Sequence, residues 1–288
     1  MAHLYATILT YSAPFSNYRG ESEGNRTPLQ TLTTNGIRYA IVSGEALRYA
    51  TRATLTALGH SCNRSRPHQD GPPTVEYAEF PNRMKYIDDM VFGFMVADSR
   101  KVPKDSGLQS KGDSALHMSY ALALEPYTGE TTFHQSPKHQ YNNNAGIIYR
   151  EVSYTSFQYP FALRAEDFGE RKQWLKDVVR AIAQINNVGG GHARTYYEMA
   201  PRSVVARITR ELASGFAQYG FSRDGSFMEL NRLNSASRDL PGNEFILGGE
   251  VVRALSDDVR RSLLESGVTL EANPGRALVL AAERAGQE

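Results

Sequence analysis

The chain has 288 residues, 41% of them hydrophobic and 22% charged, with a mean hydropathy of −0.45. That is enough apolar material for a buried core, and too little in any one run for a membrane helix. The 32 Lys and Arg against 31 Asp and Glu leave a net charge of +1, so a surface for a polyanion has to come from local segregation of charge. Cys62 stands alone, which excludes a disulfide framework and cysteine-based zinc sites and fits a reducing, cytoplasmic setting. The 7 His residues show no H-E-x-x-H and no helix-spaced pair, so neither a metal nor another cofactor is expected. The opening stretch MAHLYATILTYSAPF lacks a basic segment ahead of an apolar core and does not read as a secretory leader.

His3 to Tyr11 reads as a strand entering the core, followed by a loop or arm rich in Gly, Pro, Ser, Thr and Asn. Ile37 to Val42 reads as a short strand. Ser43 is placed to cap a helix whose apolar stripe (Ala46, Leu47, Ala50, Ala53, Leu55, Leu58) stops at Gly59. Residues 60–83 lack periodicity and carry several prolines, as an exposed insertion does. Residues 90–98 (MVFGFMVAD) read as a buried strand, and a polar loop with Arg100, Lys101, Lys104 and Lys111 leads to a second strand over Leu116–Leu124. The next segment, to Gly146, is polar and turn-rich.

The run IIYREVSYTSFQYPF is strand-like throughout. A helix is predicted from Asp167 to about Asn186, on the spacing of Trp174, Leu175, Val178, Val179, Ile182 and Ile185. After the VGGGHAR loop come a strand pair in TYYEMAP and SVVARIT, a helix near Glu250–Glu265, and a final apolar strand over Ala277–Ala281. The order predicts an α+β sheet with two helices on one face, in a single domain spanning 1–288. Candidate insertions are 13–36, 60–86, 99–113 and 126–146.

Four constellations could carry function. Ser43-Gly44 presents backbone N–H groups at a helix start, and Arg48 and Arg52, four apart, share one face of that helix. Together they could meet successive phosphates of a nucleic-acid strand; equally they read as a solvated face with Glu45 paired to Arg48. Gly189, Gly190 and Gly191 with His192 and Arg194 would let a backbone approach a ligand closely, or make a helix C-cap and turn. The arm with Tyr18, Arg19, Asn25 and Arg26 combines donors with a stackable ring, though Glu21 and Glu23 sit among them as in an ordinary surface loop. Lys101, Lys104 and Lys111 form a charged loop, and such loops are commonly just solvated. Asp88-Asp89 is a possible carboxylate pair, or a cap before the buried strand. With no G-x-S-x-G and no acidic metal cluster, the chain does not read as an enzyme.

In order along the chain, GNRTPLQ, VSGEALRYATR, VFGFMVA and GGGHAR followed by a strand give a pattern that resembles the DevR-type autoregulator family of CRISPR-associated proteins. These are backbone subunits of type I (I-B-like) Cascade surveillance complexes, which act in antiviral defence. The resemblance spans most of the chain and leaves out loops 60–83 and 126–146 and the stretch beyond Gly220. It implies an RRM-like, ferredoxin-like palm with finger-like and thumb-like insertions. It implies copies that polymerise head to tail along a guide crRNA, grip its sugar–phosphate backbone and present it to target DNA. A large subunit, a guide-end-capping subunit and a crRNA-processing endonuclease would be further partners, with no role for a membrane. On this chain Ser43, Gly44, Arg48 and Arg52 would hold guide phosphates, with Arg19, Asn25 and Arg26 on the RNA-facing arm and Gly189–Arg194 beside it. No K/R-G-F/Y RNP motif is present, which points to binding by helix and loops rather than by sheet aromatics. Two alternatives remain open: metal-dependent RNA cleavage as in type III backbones, using Asp105 or Asp113, and transcriptional autoregulation.

Overall fold

A computed structural model describes residues 2–16, 23–65, 76–97, 102–104, 106–136, 138, 146–186, 188, 196–234 and 239–287. The first half runs β1 (His3–Thr10), β2 (Ala13–Phe15), β3 (Arg26–Thr27), β4 (Thr31–Thr34), β5 (Ile37–Val42), α1 (Gly44–Ala57), β6 (Arg64–Ser65), β7 (Glu76–Tyr77) and α2 (Ile87–Phe92). It continues with β8 (Phe94–Met95), β9 (Lys111–Gly112), β10 (Leu116–Met118), β11 (Ala121–Pro126), β12 (Glu130–Ser136), β13 (Gly146–Thr155) and β14 (Phe157–Arg164). The rest is α3 (Lys172–Ile182), β15 (Pro201–Thr209), β16 (Phe245–Gly249), α4 (Glu250–Arg253), α5 (Asp257–Glu265), β17 (Thr269–Glu271) and α6 (Pro274–Gln287).

The central sheet has the order β17-β16-β15-β1-β14-β11-β5-β4, with β10 also on β14. Every named pair in it is antiparallel except β16–β17. β1 lies in the middle, and Ile8 faces Tyr159 on one side and Val204 on the other. The strand period of two then sorts the side chains. Leu4, Ala6 and Ile8 join Tyr159, Phe161 and Leu163 in one core, closed over by Leu47 and Leu55 of α1, Val178 and Ile182 of α3, and Leu278 and Ala281 of α6. Leu9, Val205 and Leu247 face the other way, into a second core made by Phe216, Phe221, Phe227, Leu233, Val252 and Leu263. The sheet is therefore covered on both faces around β1, so an open platform of sheet aromatics is not what the central strands offer.

Several expectations need correcting. Residues 90–98 are not one strand: Ile87–Phe92 is a short helix whose six residues are all buried, which erases the one-sided pattern that marks most helices. Gly93, at φ 63° and ψ 176°, then turns the chain into β8. A Cβ there would lie 2.5 Å from the Gly112 carbonyl oxygen, so the turn requires glycine. The Ala277–Ala281 strand is instead the middle of α6. The Asn273 side chain accepts from the Arg276 N–H at 3.0 Å as its cap, and Pro274 opens it. Three long helices rather than two cover the first face. The region 250–265 splits into α4 and α5, with Ser256 capping the second through Val259 N–H. Leu116–Leu124 breaks into β10 and β11, 147–161 into parts of β13 and β14, and the described part of TYYEMAP carries no strand before Pro201. The polar segment before Gly146 contains β12, which pairs along its whole length with β13 as a hairpin. Among the described residues no helix is long and apolar enough to cross a membrane.

Candidate nucleic-acid interface

α1 starts where the sequence places it. Ser43 is extended (φ −67°, ψ 150°) and its Oγ accepts from the Ala46 N–H at 3.1 Å. Gly44 is buried, and a Cβ on it would stand 2.8 Å from the Met118 carbonyl oxygen. Glycine thus lets the helix start close against the end of β10. A cleft of about 280 Å³ opens beside this contact, lined by Glu45, His117, Ser119, Tyr120 and Gln218 among others.

Arg48 and Arg52 do share a face, and it turns toward α2. Arg48 Nη2 donates to the Phe92 carbonyl at 2.5 Å, and its guanidinium lies 5.7 Å from the Phe92 ring centroid. Arg52 lies over the same ring at 4.5 Å, and its Nε is 3.3 Å from Asp88 Oδ2. Burial, first, lowers the pKa of both guanidinium groups, and the charge of Arg64 lowers it further. Arginine stays protonated regardless. Glu45 acts on Arg48 in the opposite sense, as an anion stabilising its charge. Arg48 is half-buried, whereas the Arg52 side chain keeps only 15% of its surface exposed.

Asp88 and Asp89 are fully buried and act as an anchor. Asp88 accepts from the backbone N–H groups of Asn63 at 2.7 Å and Arg64 at 3.0 Å. Asp89 accepts from Asn63 Nδ2 at 2.8 Å and the Asn82 N–H at 2.9 Å. Desolvation is the main reason the Asp89 carboxyl sits above its ordinary pKa. These contacts tie the ends of the 60–86 insertion to α2, so its anchored ends are not simply exposed loop.

A second group forms on the hairpin side. Arg26 in β3 runs parallel to β13, opposite Tyr149, and its Nη2 pairs with buried Glu151 at 2.6 Å. Glu151 also accepts from the Leu29 N–H at 2.8 Å, and the Asn25 carbonyl accepts from the Tyr149 N–H at 2.8 Å. Phe133 and Tyr149, opposite each other on β12 and β13, are 56% and 44% exposed, with ring centroids 5.8 Å apart. An exposed aromatic pair beside an arginine is the composition of a base-stacking surface. Sequence reasoning missed it, although F-H-Q in a Thr-rich alternating run was the available signal.

Lys104 and Lys111 are exposed, Lys111 on β9 opposite Met95. Asp113 is exposed just beyond it. Tyr18, Arg19, Lys101, Asp105, Gly189, Gly190, Gly191, His192 and Arg194 lie outside the described residues. Among the described residues, no group of three His, Cys, Asp or Glu side chains is placed to hold a metal ion.

No family model matches the chain. Two solved chains share its fold over nearly their whole length. One comes from a CRISPR RNA-guided surveillance complex in a pre-nicking form (TM-score 0.64, 12% identity, 98% of this chain and 100% of that one). The other comes from a CRISPR RNA-guided surveillance complex (TM-score 0.59, 14% identity, 98% and 99%). A CRISPR-associated protein Cas7/Cst2/DevR of Myxococcus xanthus (strain DK1622) is 32% identical over 284 residues, 91% of each chain. An identity of that size over that span carries more than fold: the chain belongs to the Cas7/Cst2/DevR family of CRISPR-associated proteins.

Proposed function

We propose that the chain is a backbone subunit of a type I Cascade surveillance complex, laid head to tail with copies of itself along a guide crRNA. The arginine cluster at α1 and α2 is the observation that carries this reading. Its cations are half-buried, held from behind by a fully buried carboxylate, and mounted on the element that opens at Ser43-Gly44. Such a site grips phosphate and leaves base edges free, as a guide-holding protein requires. Arg48, the more accessible of the pair, makes the direct contact; Arg52 adds charge from behind the Phe92 ring.

The central sheet then serves as an RRM-like palm, and the 13–36, 60–86, 99–113 and 126–146 regions as its insertions. The β12–β13 hairpin is the thumb-like element, its Phe133 and Tyr149 rings meeting a base beside Arg26. Asn25, Arg19, Lys101, Lys104, Lys111 and Gly189–Arg194 complete the RNA-facing surface. Target DNA, the large subunit, the guide-end-capping subunit and the processing endonuclease are the partners, in the cytoplasm, and this subunit itself performs no catalysis.

Expression with its operon companions tests the reading: the purified protein should carry small RNA of uniform length. Arg48→Ala with Arg52→Ala should flatten the dependence of log K on log salt by roughly 0.7 per lost phosphate contact. A protein that stays monomeric and ignores every oligoribonucleotide would end it.

A further inference from the structure

We propose that Arg64, carried by the 60–86 insertion, is a third phosphate-binding guanidinium of the α1 site, and that Asp88 is the positioning residue that locks it to Arg52. The inference rests on the guide-binding reading and adds to it a residue on a different element.

Three guanidinium groups converge at the C-terminal end of α2. Arg48 donates to the Phe92 carbonyl and Arg64 to the next one, that of Gly93. Arg52 lies over the ring of the same Phe92, and the Arg64 guanidinium lies 5.2 Å from the Tyr77 ring centroid. Asp88 Oδ2 touches both arms, taking the Arg64 backbone N–H at 3.0 Å and facing Arg52 Nε at 3.3 Å. One carboxylate oxygen therefore fixes the register of β6 against α1.

Carboxylates match the three cations in number, Glu45 acting on Arg48 and Asp89 on Arg64, but the close ion pair among them is Arg52 with Asp88. Asp89, the other buried carboxylate, bonds Asn63 and Asn82 instead of a guanidinium. Arg64 also depresses the pKa of both its neighbours, the signature of like charges held close. A cluster of cations assembled at that electrostatic cost gains most from an anion that accepts from several of them at once. Each guanidinium carries five N–H donors, and the contacts described use one at most. A phosphodiester, with unesterified oxygens that accept from such donors, is the matching chemistry. Aromatic faces on Phe92 and Tyr77 hold the planes of Arg52 and Arg64, which a lysine could not exploit in the same way.

The test uses the full chain and an unstructured single-stranded oligoribonucleotide, with binding measured from low to high salt. Arg64→Gln removes the charge and keeps a polar amide, though its side chain ends two bonds short of the nitrogen that meets the Gly93 carbonyl; Arg64→Lys keeps the charge. We expect the glutamine variant to flatten the log K–log salt slope by about 0.7 per subunit, a loss of about fivefold in affinity at 0.1 M relative to 1 M salt. The lysine variant should keep the wild-type slope. Equal slopes for the glutamine variant and wild type would overturn the assignment of Arg64 while leaving the guide-binding reading intact. Absence of RNA binding by wild type would overturn both. Asp88→Asn decides the positioning role by sign. Removing a negative charge from a passive neighbour would tighten RNA binding, whereas loss of a positioning group should weaken it in protein whose melting shows it folded. Tighter binding by a folded Asp88→Asn protein would overturn that role.

Discussion

Gly44→Ala separates the two uses a glycine at the head of α1 could have, packing or ligand approach. The added Cβ would stand 2.8 Å from the Met118 carbonyl oxygen, about 0.6 Å inside an ordinary contact of 3.4 Å. Met118 ends a strand paired with β14, so the helix start has to move instead. Overpacking of this kind costs about 1–3 kcal/mol. Alanine's better helix propensity returns up to about 1 kcal/mol, less at a first helical position. A net loss of about 1–2 kcal/mol follows, or roughly 2–8 °C in Tm at about 2–4 °C per kcal/mol for a large domain. The assay is thermal and urea unfolding of RNA-free protein, with an unchanged m-value expected. Ser43→Ala is the comparison, losing one capping bond and about 1 kcal/mol without a clash. If Gly44→Ala matches wild type in stability yet binds RNA poorly, the glycine serves the ligand and the packing argument fails.

Leu278→Ala, in the fully buried stripe of α6, should cost about 2–5 kcal/mol in urea titrations. Asp89→Asn should change how stability depends on pH. The wild-type carboxyl has a raised pKa in the fold, so the folded state holds its proton longer than the unfolded chain does. Its penalty is absent below the unfolded pKa and grows as pH rises through the folded one. The variant-minus-wild-type difference should therefore move in the variant's favour as pH rises from the acid side of the carboxylate range to neutrality; a pH-independent difference would refute this. Phe133→Ala and Tyr149→Ala should each lower RNA affinity by about 1–3 kcal/mol by titration, while leaving unfolding midpoints nearly unchanged.

The parts of the fold that were legible in the sequence are those where one face is wet. α1 showed its cap at Ser43, its stripe through Leu47, Ala50 and Leu55, and its end at Gly59, which has φ +88°. α3 was readable for the same reason; β1, covered on both faces, was readable from its β-branched and aromatic content instead. α2 was not, because a helix buried all round has no period to show. α6 failed differently: ALVLAA is apolar enough to pass as a strand, and the Asn273-Pro274 start signal carried the answer. At the site, the pairing of Arg48 with Arg52 followed from their spacing. Arg64 and Phe92 did not, since only the fold brings residues 16 and 44 positions beyond Arg48 onto that face. Asp88, expected to cap a helix or turn, instead lies within α2 and accepts from the Asn63 and Arg64 N–H groups, and its pairing with Arg52 was not legible.

β13 leaves the hairpin, passes through the single residue Ser156 and becomes β14, the immediate neighbour of the central strand β1. The projecting rings at Phe133 and Tyr149 are thus the far end of a strut rooted beside the central strand of the sheet. Should those rings hold the guide as proposed, their reach from the sheet is set by covalent chain, as on a ruler, and the nucleic acid would have to conform to it. On that reading, lengthening the one-residue joint would move the rings relative to the sheet without altering any side chain proposed to meet the guide.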